Sequence, residues 1–288
     1  MSPKITRPVL RYPGGKFKSA PKIIEHFGAH DIRVEPFGGA FSVTLRAPRV
    51  FTEVYNDRWD LVANVFRVLR NPIASKELER QLTLTPFSRT EYEICQVVDP
   101  AMDAVEKARR VIFRSFAAYS AEGVNPGSKT TFRSRMREGN NSPAVDFMHY
   151  AEHIDRFRKR LQGVIIENMD YQDVIDKFDS PKTLIFLDPP YVHDTRHNKG
   201  LYACEFTDGD HIKLGSLAKQ AQGMVIVNGY SNKLYEEEIF QDWHMHTFDA
   251  QADGQAEGSQ KRTEVLWLND AAEQAYQARL TPLFASSG

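Results

Sequence analysis

Near the start of the chain the four residues Ile32-Arg33-Val34-Glu35 run directly into Pro36-Phe37-Gly38-Gly39-Ala40, and then into a short apolar stretch that ends before Pro48. Adjacent glycines let the backbone turn tightly between a strand and a helix, and that order opens an α/β unit of the nucleotide-binding kind. A second strand over residues 50–55 delivers Asp57, and the amphipathic run 59–69 stops at Asn71-Pro72. Strand and helix therefore alternate as a parallel sheet requires. From Pro72 to about Gly163 the alternation is lost, and helical patterns surround a polar stretch, 121–141, that reads as an exposed loop or hairpin. A helix is expected from Ser142-Pro143, with serine as cap and proline at its first position, through Phe147, Ala151, Ile154, Phe157 and Leu161 to Gly163.

Short buried-type strands then resume at 164–166, 183–187 and 224–227. Residues 244–248 and 263–268 flank a glycine-rich polar loop, 249–260, and read as a long antiparallel hairpin, while the tail beyond Asn269 is weakly specified. The expected fold is one mostly parallel α/β sheet with its last strand antiparallel. It is built from residues 1–71 and 164–288 and interrupted by a mainly helical insertion at 72–163.

With 288 residues, of which 41% are hydrophobic and 26% charged, the chain can bury a full core, which excludes a disordered or fibrous protein. The N-terminus lacks the apolar run of a signal peptide and no window resembles a membrane span, so a soluble cytoplasmic protein is expected. Cys95 and Cys204 are far apart with no paired spacing, which argues against a disulfide framework or a cysteine zinc site. The net charge of −1 hides a division: residues 1–106 carry +2, residues 107–160 carry +7 and residues 161–288 carry −10. The basic segment is polarised toward an anionic partner, or else it is a solvated helix face.

Asp188-Pro189-Pro190-Tyr191 follows directly on the strand 183–187, at the carboxyl edge where open α/β sheets place their ligands. By chance this tetrapeptide arises in about one chain per thousand of this length. Its chemistry suits methylation of an exocyclic amine, whose lone pair is delocalised into the ring of the base. A carboxylate at Asp188 and the carbonyl of Pro189 can each accept one N–H and steer the lone pair toward a methyl donor. Proline adds rigidity without a competing amide donor, and Tyr191 offers a flat surface for a base removed from its helix.

In this order of motifs the chain resembles the Dam-like DNA adenine N6-methyltransferases, the D12 class of alpha-type amino-methyltransferases. The residues that carry the resemblance are Tyr12-Pro13-Gly14-Gly15-Lys16, Glu35-Pro36-Phe37-Gly38-Gly39, Asp57, and Asp188 to Tyr191. It implies a Rossmann-like, S-adenosylmethionine-dependent methyltransferase sheet, with Asp188, Pro189, Pro190 and Tyr191 catalytic. It also implies that Tyr12 and Phe37 contact the cofactor's adenine side, that Lys16 and Glu35 lie near its methionine part or the target, and that Asp57 holds the ribose hydroxyls. Gly14, Gly15, Pro36, Gly38 and Gly39 form the cofactor turns, and Asp170-Tyr171 packs against the cofactor's adenine unless it is an ordinary strand-end turn. Asp57 lies 22 residues after Glu35, close to the separation of about 20 at which nucleotide folds place a ribose acid.

A phosphate-binding loop at Gly14-Gly15-Lys16 is disfavoured, because it requires glycine at position 10 and serine or threonine at 17, where the chain has Leu10 and Phe17. The pairs His149/His153 and His193/His197 lack a third ligand, and no metal is expected.

The insertion, by resemblance, is the target recognition region for double-stranded DNA. Lys129, Arg133, Arg135 and Arg137 are dense enough to meet phosphates, and one of the arginines, Asn140 or Asn141 can read base edges. GATC-specific members carry an Asn-Val-Pro-aromatic-Gly type of hairpin here, whereas this chain reads Asn125-Pro126-Gly127-Ser128-Lys129, so GATC is not the expected site. A cognate restriction endonuclease is a partner that the resemblance brings in, and a monomer is expected. The rival readings are a cytosine-N4 or RNA adenine amino-methyltransferase on the same fold, or a non-catalytic DNA-binding protein.

Overall fold

A computed structural model describes residues 3–134, 142–192, 206–250 and 262–281. Seven strands are seen among them: β1 (Ile32–Glu35), β2 (Thr52–Asn56), β3 (Val164–Glu167), β4 (Thr183–Leu187), β5 (Met224–Gly229), β6 (His244–Ala250) and β7 (Arg262–Leu268). They form one sheet in the order β3-β2-β1-β4-β5-β7-β6. The first five are parallel, with Val34 level with both Val54 and Ile185, and Leu187 level with Val227. β7 is antiparallel to β5 and pairs with β6 along its whole length. The expected parallel sheet with an antiparallel last strand is present. Its strand order reverses at β1 and β4, so their carboxyl ends flank the crevice where such sheets take ligands.

Successive residues of the central strands are buried on opposite faces, as a strand period of two dictates. Leu184, Phe186, Met224, Ile226, Leu266 and Leu268 pack against α1 (Ala20–Ile24), Val43 of α2 (Ser42–Arg46) and Ala272 of α11 (Asp270–Leu280). On the other face Ile185, Leu187, Val225, Val227, Val265 and Trp267 meet α9 (Tyr171–Phe178) and α10 (Asp208–Gln220). The weakly specified tail is thus a helix as far as Leu280. Its apolar face is mostly alanine, which explains the faint signal, and Asn269 caps it by accepting from the Ala272 amide.

The region 72–163 holds α4 (Pro72–Leu84), α5 (Arg89–Ile94), α6 (Ala104–Ala117), α7 (Pro143–Met148) and α8 (Ile154–Leu161). These helices share one apolar core with α3 (Asp60–Arg70) and with Ile5, Val9 and Leu10 of the N-terminal segment. Ser142 caps α7 as expected. The single helix expected from Ser142 to Gly163 is broken, however, by a 3-10 turn at Ala151–His153, beside a wholly buried Tyr150 whose hydroxyl donates to the Val9 carbonyl at 2.8 Å.

A charged cluster lies under α2. Arg33, Glu53 and Arg160 are each about 1% exposed. Glu53 accepts from Arg33 Nη2 at 2.5 Å and from Arg160 Nη1 and Nη2 at 2.6 and 2.8 Å. The two guanidinium groups also donate to the carbonyls of Thr44, Leu45, Ala47 and Pro48, which end α2. Positive charge there complements the helix dipole and satisfies carbonyls that a short helix leaves open.

Candidate active site

A cavity of about 360 Å³ opens beyond the carboxyl ends of β1, β2 and β4. Its wall contains all twelve candidates for cofactor contact: Tyr12, Gly14, Gly15, Lys16, Glu35, Pro36, Phe37, Gly38, Gly39, Asp57, Asp170 and Tyr171. Asp188 and Pro190 line the same space, while Pro189 and Tyr191 are buried immediately beside it. Asn56, Arg58, Trp59, Phe206, Asp210 and Lys213 join the wall without having been anticipated from sequence.

The first wall is the turn after β1, and it depends on glycine. A Cβ on Gly38 would lie 2.4 Å from the Tyr55 ring and 2.8 Å from the Asn56 carbonyl oxygen. Gly39 has φ +46° and faces the Tyr12 ring, which a Cβ would meet at 3.0 Å. Phe41, at φ 53°, starts α2 from the left-handed region, an uncommon state for a bulky residue; its wholly buried ring is wedged against Tyr55 and Phe66.

Below this turn, Asp57 accepts the Gly39 amide at 2.9 Å and the Trp59 amide at 2.8 Å. Burial still pushes its carboxyl up to about 6. Glu35 accepts the Thr44 amide at 2.7 Å and the Thr44 hydroxyl, yet burial pushes it up to about 7, with the charge of Asp188 adding to the rise. Thr44 in turn accepts from Arg33 Nε at 3.1 Å, which joins this wall to the charged cluster under α2. Asn56 stitches the loops together by donating to the Pro36 and Met169 carbonyls and accepting the Met169 amide.

Part of the wall is aromatic. Phe37 lies 5.2 Å from Tyr171 and 5.5 Å from Phe206, ring centre to ring centre. Asp170 is more occupied than expected: it caps α9 through the Gln172 amide and forms an ion pair with Arg58 across the rim.

At the end of β4, Asp188 Oδ1 lies 3.2 Å from Lys16 Nζ and accepts from Asn228 Nδ2 at 3.0 Å. Lys16 is buried; it donates to the Gly14 carbonyl at 2.5 Å, sits 4.8 Å from the centre of the Tyr191 ring, and has Glu264 at 4.0 Å. Burial raises Asp188 to about 6; Lys16 opposes the rise and Glu264 adds to it. A carboxylate of this kind is poised to accept hydrogen bonds near neutral pH. Asn228 and Glu264 were missed from sequence, although an asparagine closing the apolar run 224–227 was a visible signal. Phe206 left none.

The model of the D12 class N6 adenine-specific DNA methyltransferases matches residues 12–252 of the 288. The chain belongs to that family. No curated protein matches it. It is accordingly a site-specific adenine DNA methyltransferase acting on DNA, and enzymes of this family generally use S-adenosylmethionine and reach a flipped-out base. Among the described residues no helix is long and apolar enough to cross a membrane, and no group of three or more His, Cys, Asp or Glu side chains is placed to hold a metal ion.

Much of the basic excess of residues 107–160 of this methyltransferase is engaged internally. Arg109 and Arg110 pair with Glu106, Arg109 also with Glu91, and Arg158 and Lys159 with Asp155. Arg114 is wholly buried on the carbonyls of Cys95, Gly123 and Val124. The basic run 156–160 is therefore not simply a solvated face, since Arg160 points inward while Arg156 is exposed. Guanidinium groups suit this work because their five donors can serve several carbonyls at once.

A hairpin-like turn is joined by a bridge between Ala118 and Phe132 and by the Tyr119 amide on the Thr131 carbonyl. Lys129 is exposed on it and Arg133 half-buried. Arg11, next to Tyr12, donates to the Ala118 carbonyl at 3.1 Å and so ties the turn to the cavity wall. Arg135, Arg137, Asn140 and Asn141 lie outside the described residues, as do His193 and His197.

Proposed function

We propose that the cavity between the glycine turn and Asp188 binds S-adenosylmethionine, and that Asp188 and the Pro189 carbonyl orient the N6 amine of an extrahelical adenine against Tyr191. The residues present fit that cofactor. The turn at Gly38-Gly39 has no room for a Cβ, Phe37 and Tyr171 offer an aromatic wall, and Glu35, Asp57 and Asp188 form an acidic lining around one space. Burial raises the proton affinity of all three carboxyls, so a cationic ligand in this space favours their charged forms. When bound, the cofactor supplies an electrophilic methyl group.

The protein's part is then positional. Asp57 and Glu35 hold the ribose and methionine ends, while Asp188 and Pro189 accept the two N–H groups and turn the nitrogen lone pair toward the methyl donor. The N6 proton is lost after transfer. The observation that carries this reading is the placement of Asp188, at the carboxyl end of β4, in the same cavity wall as the glycine turn of β1. Incubating the protein with DNA, with RNA and with labelled S-adenosylmethionine, followed by nucleoside analysis, tests it. N6-methyldeoxyadenosine is the expected product, and N4-methylcytosine or methylated RNA alone overturns the reading.

The turn around Lys129 and Arg133 is the proposed phosphate-contacting part of the recognition segment, together with Arg135 and Arg137, and with Asn140 and Asn141 at base edges. Replacing Lys129 and Arg133 by alanine is expected to lower the slope of log affinity against log salt by about 0.9 for each contact. Filter binding across a salt series measures this, and an unchanged slope removes the turn from the interface.

A further inference from the structure

Asn228 closes the run Met224-Val225-Ile226-Val227 and is wholly buried. Leu187 pairs with Val227, so Asn228 stands one strand over from Asp188 at the same height. Its Nδ2 donates one hydrogen to Asp188 Oδ1 at 3.0 Å and the other to the Tyr191 hydroxyl oxygen at 2.9 Å. The carboxylate fixes the orientation of the carboxamide, since only the amino end can serve an acceptor. The price is paid at the other end, where Asn228 Oδ1 is buried with no hydrogen-bond partner among the described residues. Valine would fill such a strand position without that penalty, so the asparagine is held there by what its amino group does.

Asp188 Oδ1 is thereby engaged by both Lys16 and Asn228, and Oδ2 receives no hydrogen bond among the described residues. We infer that Asn228 is a positioning residue for methyl transfer: by gripping Asp188 Oδ1 and the Tyr191 hydroxyl on one amino group, it presents Asp188 Oδ2 to the target amine and fixes the stacking ring relative to it. The inference rests on the reading of Asp188 as the amine's acceptor. It concerns neither cofactor binding nor a proton transfer by Asn228 itself.

Among the described residues, ionisable side chains that act on Asp188 besides are Lys16 from the N-terminal segment, Glu264 from β7, Glu35 from β1 and Tyr235. Lys16 favours its carboxylate, Glu264 and Glu35 disfavour it, and the Asn228 donor favours it. Loss of that donor moves protonation of Asp188 to higher pH.

The test uses the full-length protein with Asn228→Leu, Asn228→Ser and Asp188→Ala, measuring single-turnover methyl transfer to DNA against pH, and S-adenosylmethionine affinity by calorimetry. Asn228→Leu should lower the single-turnover rate by about 100-fold, as for a misplaced reacting group. Its cofactor affinity should be unchanged, and the acid limb of its rate profile should lie at higher pH than in the wild type. Asn228→Ser, with one donor in place of two, should fall between. A folded Asn228→Leu with the wild-type rate and an unmoved acid limb overturns the inference. If that variant does not fold, a wild-type rate and limb in Asn228→Ser overturn it equally. Asp188→Ala separates the two claims: if it retains transfer, the reading of Asp188 has failed. If it loses transfer while both Asn228 variants keep it, only the positioning role has failed.

Discussion

Replacing Asp188 by alanine should lower methyl transfer by about a thousandfold or more while leaving S-adenosylmethionine bound, because in the proposed mechanism it removes a preorganised acceptor at the reacting nitrogen. Asp188 directly follows a fully buried strand, and its Oδ1 is held by Lys16 and Asn228. The truncated side chain takes this shared acceptor from Lys16 and Asn228 and, in the proposed mechanism, the guide from the amine. Asp188→Asn keeps the shape but puts a donor where an acceptor is needed, and should lose nearly as much. The pH dependence has a definite sign. Burial lifts Asp188 to about 6, and in the proposed mechanism the working form is the carboxylate. The wild-type rate should therefore fall below about pH 6 by about tenfold per unit and level off above it. Single-turnover transfer of a labelled methyl group reads both effects; a rate in Asp188→Ala within tenfold of the wild type is incompatible with the mechanism.

The second large effect is on stability. Glu53→Ala leaves Arg33 and Arg160 as neighbouring buried cations without their shared carboxylate. Breaking a buried ionic cluster from one side costs about 3–5 kcal/mol, since the remaining charges stay desolvated and unpaired. The loss should appear as a lower urea midpoint with an unchanged slope. It should also loosen the cavity, because Arg33 donates to Thr44, and Thr44 holds Glu35. A change below about 1 kcal/mol would mean that water reaches the guanidinium groups and that the cluster is not closed.

Legibility in the chain follows the range of the physics involved. The strands, the α3 helix and the glycine turn were readable because each is set by neighbours in sequence: apolar runs of strand length, a 3.6-residue period, and two glycines where no side chain fits. Eight of the twelve cofactor candidates lie at or just after the carboxyl ends of β1, β2 and β3, which parallel strands deliver to one edge, while Tyr12, Gly14, Gly15 and Lys16 reach the same wall from the segment before β1. The α11 helix was obscured because its apolar stripe is alanine, and the run after Ser142 because nothing local announces the 3-10 turn.

Local chemistry in the chain was therefore enough for the order of the motifs, the sheet type and four of the carboxylates around the cavity, Glu35, Asp57, Asp170 and Asp188. Pairing between distant segments settled the rest. Asn228 meets Asp188 only through the register of β4 and β5, and Arg160 turns inward only because Glu53 and the end of α2 wait beneath α8. Phe206 joins Phe37 and Tyr171 only when three loops are brought together. A side chain's type is written in the chain, but its partner depends on which surfaces the core brings within hydrogen-bonding or van der Waals reach.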